Sequence, residues 1–178
     1  MTRFAVEYGS ALFELACDEQ ISDQIMTELR QLMTIFEQEK DYLRLLDARS
    51  IEPDVRKGLI DEAFGGSVHP YLINFMKLLI DRGAIEYLPE CAAAYRARYN
   101  EMKGIAEAQV SSATPLSQAQ VEALRARLSE ISGKQVEMHL RVDPELTGGV
   151  CVDLQGRRYD NTVRTRLEQL RRNLTEQE

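Results

Sequence analysis

Apolar side chains recur along the first hundred residues at intervals of three and four. Over residues 3–17 they fall at Phe4, Tyr8, Ala11, Leu12 and Leu15, and over 22–38 at Ile25, Leu29, Leu32, Met33 and Phe36. This is the spacing of amphipathic helices. A short helix is predicted over 40–47. Pro53 suits the first turn of a helix over 53–64, which Gly65-Gly66 ends. Pro70 opens another, running to about Arg82 and stopped by Gly83. A last helix is predicted from Ile85 to Lys103, with Pro89 in its first turn, where proline is tolerated, and Gly104 as its C-cap. Six helices with short connections predict an all-α bundle.

At Gly104 the pattern changes. Ile105–Ser112 alternates and reads as a strand. Pro115-Leu116-Ser117-Gln118-Ala119-Gln120-Val121 carries a helix start: Ser117 and Gln120 form a capping box, and Leu116 with Val121 a hydrophobic staple. Val121, Leu124, Leu128 and Ile131 line one face, and Gly133 ends that helix. Val136–Val142 has period two, Val150–Leu154 is a further strand, and Gln155-Gly156 turns into a short strand at Arg157–Tyr159. A final helix places Val163, Leu167, Leu170 and Leu174 on one stripe. The fold class is therefore mixed: an N-terminal all-α six-helix bundle over 1–104, then a small α+β domain over 105–178.

No apolar run reaches the roughly 18 residues a membrane-spanning helix needs. The longest candidate, Tyr71 to Ile80, contains Asn74 and Lys77. The amino terminus has no signal-peptide core, since Glu7 and Glu14 come too early, so a chain that is cytosolic, or mature after processing, is expected. Cys17, Cys91 and Cys151 are odd in number and far apart, which predicts free buried thiols rather than a disulfide framework. The net charge of −7 argues against a generic nucleic-acid binder. Residues 157–172 depart from it, with arginines at 157, 158, 164, 166, 171 and 172 against Asp160 and Glu168.

Catalytic chemistry needs a constellation, and none emerges. His69 and His139, one in each half, have no ligand partners at metal-binding spacing. Gly65-Gly66-Ser67 and Thr147-Gly148-Gly149 are turn glycines, too short for a phosphate-binding loop. No catalytic, metal-ligating or cofactor-binding residue is nominated, and no cofactor is expected. Two features exceed what a folded core requires. The apolar faces of helices 3–17 and 71–82 are wider than the stripe of a little over ~100° that a bundle helix needs. Either these helices are fully buried, or one side of each accepts a partner helix. The terminal helix sets its leucine stripe opposite Arg164, Arg166, Arg171 and Arg172. It packs on the small sheet, receives an acidic or amphipathic helix, or contacts nucleic acid.

Several segments resemble the delta subunit family of F-type ATP synthase, whose mitochondrial counterpart is the oligomycin-sensitivity-conferring protein. They are Tyr8–Ala16; Asn74–Gly83 followed by Leu88-Pro89 and Tyr95; Val110–Ser117; Asp143–Val150; and Val163–Leu170. They stand in the family's order across essentially the whole chain. Where the family has Asp-Gly-Ser before the last helix, this chain has Asp160-Asn161-Thr162, which keeps the turn because Asn tolerates the left-handed conformation and Thr can cap.

The resemblance implies a non-catalytic stator subunit. Such a subunit links the catalytic head of a proton-translocating synthase to the membrane-anchored b subunits and thereby supports ATP synthesis. It implies a location on the cytoplasmic face of the inner membrane, peripheral, in a bacterium. It also implies that the bundle binds the N-terminal helical segment of an alpha subunit between its first and fifth helices. Carried over, that groove is lined by Tyr8, Ala11, Leu12, Asn74, Phe75, Leu78 and Leu79, and Asp at Tyr8 or Phe75 is expected to abolish docking without unfolding the bundle. Leu167, Leu170 and Leu174 are the implied contacts to the b subunits. The alternative is a nucleic-acid-associated adaptor using the arginine-rich terminal helix.

Overall fold

The computed structural model describes residues 1–144, 146 and 148–162, with backbone alone at 161 and 162. The terminal helix expected around Leu167, Leu170 and Leu174, with its arginines, lies outside the described residues. The chain divides into two compact units, Met1–Tyr99 and Asn100–Glu178.

The first unit is helical. It comprises α1 (Arg3–Asp18), α2 (Ser22–Gln38), α3 (Lys40–Asp47), α4 (Pro53–Phe64) and α5 (Pro70–Asp81). A 3-10 turn at Ile85–Tyr87 then leads into α6 (Leu88–Lys103), whose last turn, from Asn100, belongs to the second unit. Local chemistry sets the ends. The Thr2 hydroxyl accepts from the Ala5 N–H at 3.3 Å and caps α1. Pro53 and Pro70 sit in the first turns of α4 and α5, where a missing N–H costs nothing. His69 caps α5, its Nδ1 accepting from the Tyr71 N–H at 3.3 Å.

One expectation changes here. Residues 85–103 do not form a single helix. Pro89 has no N–H to give the Ile85 carbonyl, so an unbroken α-ladder cannot pass through it. The chain closes a 3-10 turn instead, with the Tyr87 N–H on the Ala84 carbonyl at 3.0 Å.

The helical core gathers Leu12, Phe13, Ile25, Leu32, Ile60, Leu72, Met76, Leu79 and Tyr95. Tyr95 is fully buried; its hydroxyl donates to the Ser22 carbonyl at 3.0 Å, and its ring meets Phe13 edge-on at 5.5 Å. Arg56 is also buried. Its Nε donates to the Ile51 carbonyl at 3.0 Å and its Nη1 to the Leu46 carbonyl at 2.9 Å, which ties the end of α3 and the α3–α4 connection to α4.

The second unit carries β1 (Ile105–Ser112), α7 (Gln118–Ser132), β2 (Gln135–Val142), β3 (Gly149–Leu154) and β4 (Arg157–Thr162). Among the described residues the strands form one mixed sheet in the order β2-β1-β3-β4. β1 runs parallel to β2 and antiparallel to β3. A parallel pair needs a crossover, and α7 supplies it. The capping box is present: the Ser117 N–H donates to Gln120 Oε1 at 2.8 Å, and the Gln120 N–H to Ser117 Oγ at 3.4 Å. Gly133 ends α7 at φ +65°, a conformation that suits glycine.

Alternation places Ala106, Ala108 and Val110 with Val136, Val152 and Leu154 in a second core, where Leu128 of α7 packs. Two details differ from expectation. β4 continues to Thr162, because its ladder with β3 runs on to Gly149. Ile131, expected on the buried face of α7, is 49% exposed. Of the cysteines, all free, only Cys91 is fully buried, and burial pushes its thiol pKa up to about 11, so it stays protonated.

Candidate partner-docking groove

The first and fifth helices flank a groove of about 480 Å³. From α1 it is lined by Glu7, Tyr8, Ala11, Leu12 and Leu15, and from α5 by Tyr71, Asn74, Phe75 and Leu78. The helical repeat explains the set. Positions 7, 8, 11, 12 and 15 make one ridge of α1, and 71, 74, 75 and 78 make one ridge of α5. Leu12 and Phe75 form the floor, 5% and 7% exposed. Leu15 and Leu78 form the rim at 42% and 41%. Ala11 is exposed and small, which leaves the groove open beside it.

Tyr8 is held in place by its neighbours. Its ring stacks on Phe4 at a centroid distance of 4.1 Å, and Phe4 in turn meets Tyr87 at 5.9 Å. Glu7 at the rim accepts from Arg3 Nε at 2.7 Å; both side chains are exposed. That hydrogen bond is the main reason the Arg3 pKa is raised. The floor and walls are apolar, with polar groups confined to Glu7, Asn74 and the tyrosine hydroxyls. Such a surface suits the apolar face of an amphipathic helix.

Six of the expected residues meet at this groove: Tyr8, Ala11, Leu12, Asn74, Phe75 and Leu78. Leu79 does not line it. It is fully buried in the helical core with Leu72 and Met76, because one residue beyond Leu78 turns the side chain ~100° further round the helix. Glu7, Leu15 and Tyr71 were not anticipated. Extending each ridge by one turn, from Ala11 to Glu7 and Leu15 and from Phe75 back to Tyr71, would have found them. The expected b-subunit contacts Leu167, Leu170 and Leu174 lie outside the described residues.

His69 is a helix cap and His139 is exposed on β2. Among the described residues, no group of three His, Cys, Asp or Glu side chains is arranged to hold a metal ion, and no helix is long and apolar enough to cross a membrane.

A sequence model of the ATP synthase delta (OSCP) subunit matches residues 4–174. The chain belongs to that family. It is 37% identical over 171 residues to ATP synthase subunit delta of Desulfitobacterium hafniense, covering 96% of each protein. It is 35% identical over 175 residues to the same-named protein of Gloeobacter violaceus, covering 97% of this chain and 95% of that one. Its fold is similar to that of a chain in the cryo-EM structure of the Toxoplasma gondii mitochondrial ATP synthase hexamer, with a TM-score of 0.77 over 98% of each chain at 19% identity.

Proposed function

We propose that this chain is the peripheral-stalk subunit that holds the catalytic head of an F-type ATP synthase to its membrane-anchored b subunits. In this role it is structural and carries no active site of its own. The observation that carries the reading is the apolar groove between α1 and α5, with large leucines left exposed at its rim in a family of synthase subunits. The helical part, six helices acting as one body over 1–104, receives the N-terminal helical segment of an alpha subunit. The part over 105–178 meets the b subunits, with Leu167, Leu170 and Leu174 as contacts. The complex lies at the cytoplasmic face of a bacterial inner membrane and couples proton flow to ATP synthesis; the two sequence relatives named above are bacterial.

Broad apolar docking fits a stator, which must hold without chemistry. Each Å² of apolar surface buried contributes ~25 cal/mol before ordering costs are subtracted. The nucleic-acid alternative rests on arginines outside the described residues, and family membership lends it no support.

The test uses the full chain. Leu78 and Leu15 are exposed, so aspartate there removes the apolar rim without opening the core. Leu78→Asp is expected to lower the affinity for a synthetic peptide of the alpha-subunit N-terminal segment at least about tenfold. It should also fail to restore ATP-driven proton pumping to membranes stripped of the synthase head. Its unfolding temperature should match the parent protein's. Undiminished peptide affinity and pumping in Leu78→Asp and Leu15→Asp would sink the groove assignment.

A further inference from the structure

A second cleft lies on the other side of α5. It measures about 520 Å³ and is bounded by α2, α4, the α4–α5 connection and α5. Asn74 lines both this cleft and the apolar groove. It is exposed, and its amide makes no hydrogen bond among the described residues. A ridge one side chain wide therefore separates an apolar groove from a polar cleft.

The chemistry of the cleft is lopsided. Its charged lining is two carboxylates, Glu28 and Asp61, against one ammonium, Lys77. Lys77 is already satisfied: Asp61 holds it with Oδ1 at 2.6 Å and Oδ2 at 2.7 Å. Glu28 is the surplus charge. It is half-buried and fixed in place, with Oε1 accepting from Gln24 Nε2 at 2.8 Å and Oε2 from the His69 N–H at 2.7 Å. Both donors are neutral, so the negative charge remains uncompensated. A carboxylate has about four acceptor sites, so two are left for an incoming donor. The unit around it is acidic as well, with 17 Asp and Glu against 11 Lys and Arg over residues 1–99.

We propose that the helix seated in the α1–α5 groove carries a lysine or arginine on the flank facing α5, and that this cation crosses the Asn74 ridge to pair with Glu28. The inference rests on the groove reading above and adds the charge chemistry that fixes the register of the docked helix. Asn74 serves it at the crossing point, its amide oxygen accepting from the cation and its NH₂ free for the helix's own polar flank. A purely apolar helix would slide along the groove; one ion pair beside the ridge sets a single position.

The probe is a synthetic peptide of the alpha-subunit N-terminal segment, binding the full chain by calorimetry at low and high salt. A companion peptide has its lysines and arginines replaced by glutamine. Glu28→Gln, which keeps the acceptor for the His69 N–H, is expected to weaken the parent peptide about fivefold at low salt, and less at high salt. It should leave the neutral peptide unaffected. Lys77→Gln frees the Asp61 charge and should tighten the parent peptide, a gain that structural damage cannot produce. Equal binding of parent and neutral peptides, or no response to either substitution while Leu78→Asp still weakens docking, overturns the cation pairing and leaves the groove standing. Undiminished binding by Leu78→Asp overturns the groove itself.

Discussion

Gly9 shows how much a single residue decides in this fold. It stands where α1 meets α6, and a Cβ built on it would meet the Cys91 carbonyl oxygen (2.4 Å) and the Ala94 Cβ at 2.8 Å. Real Cβ contacts are not that short, and the obstacle is backbone, which cannot swing aside. Gly9→Ala is therefore expected to cost about 1–3 kcal/mol by overpacking, although it replaces a poor helix former with the best one. A denaturant titration reads this directly; a stabilised variant would mean that the two helices can part freely. The same scale corrects the expectation for Phe75. Sequence places it in the groove, and it is there, but it is also part of the helical core at 7% exposed. An aspartate at Phe75 would bury a carboxylate, so lost docking could not be told from lost folding. The exposed rim residue Leu78 carries the test cleanly. Sequence periodicity assigns a face to a residue; it does not say how deep on that face the side chain lies.

Among the elements, punctuation made boundaries legible. α3 and α4 begin and end at the residues the pattern predicts, and Pro53 and Gly65 mark the two ends of α4 with residues whose backbone limits are local. The break before α6 was less legible, since Pro89 is acceptable in a first turn and only the hydrogen-bond ladder reveals that the turn before it is 3-10. Two of the groove's three unanticipated lining residues, Glu7 and Leu15, belong to the ridge already named on α1. The start of α1 also depends on a distant element. The Thr2 N–H donates to Glu90 Oε2 at 2.5 Å, and the terminal amine lies 3.9 Å from the same atom. The Thr2 N–H bond is the main cause of a Glu90 pKa lowered from its ordinary 4.5. A carboxylate with a depressed folded pKa stabilises the fold above its unfolded value, and that contribution disappears as pH falls through the folded one. Acid unfolding of Glu90→Gln should therefore lack this component below about pH 4.5, while near neutral pH the variant is less stable than the parent. Parallel stability curves for the two proteins from pH 7 down to pH 3 would exclude the tie as a contributor.

On the scale of the whole molecule, the described residues form two cores that share no residue. One is centred on Leu12, Ile60, Leu79 and Tyr95, the other on Ala108, Val110, Leu128 and Val152. The period changes at Gly104, where strand alternation and helix periodicity cannot feed one continuous pattern, while the compact units divide between Tyr99 and Asn100. The groove is built wholly from the first unit and the small sheet wholly from the second. A defect in the second core should therefore leave docking at α1 and α5 intact. Leu128→Ala is the sharpest version: Leu128 is 3% exposed and is the one residue of α7 among the fully buried members of that core. Deleting its side chain should cost about 2–5 kcal/mol, enough to lower the melting of the sheet unit by many degrees. At a temperature below that transition, affinity for the alpha-subunit peptide should match the parent protein's within a factor of about two, since distant sites with no shared partners behave independently. Restoration of proton pumping should fall as the sheet unit melts, because a stator needs both ends held at once. If peptide affinity instead falls in step with the stability of the sheet unit, the groove depends on the second core, and the division of labour between the two units is wrong.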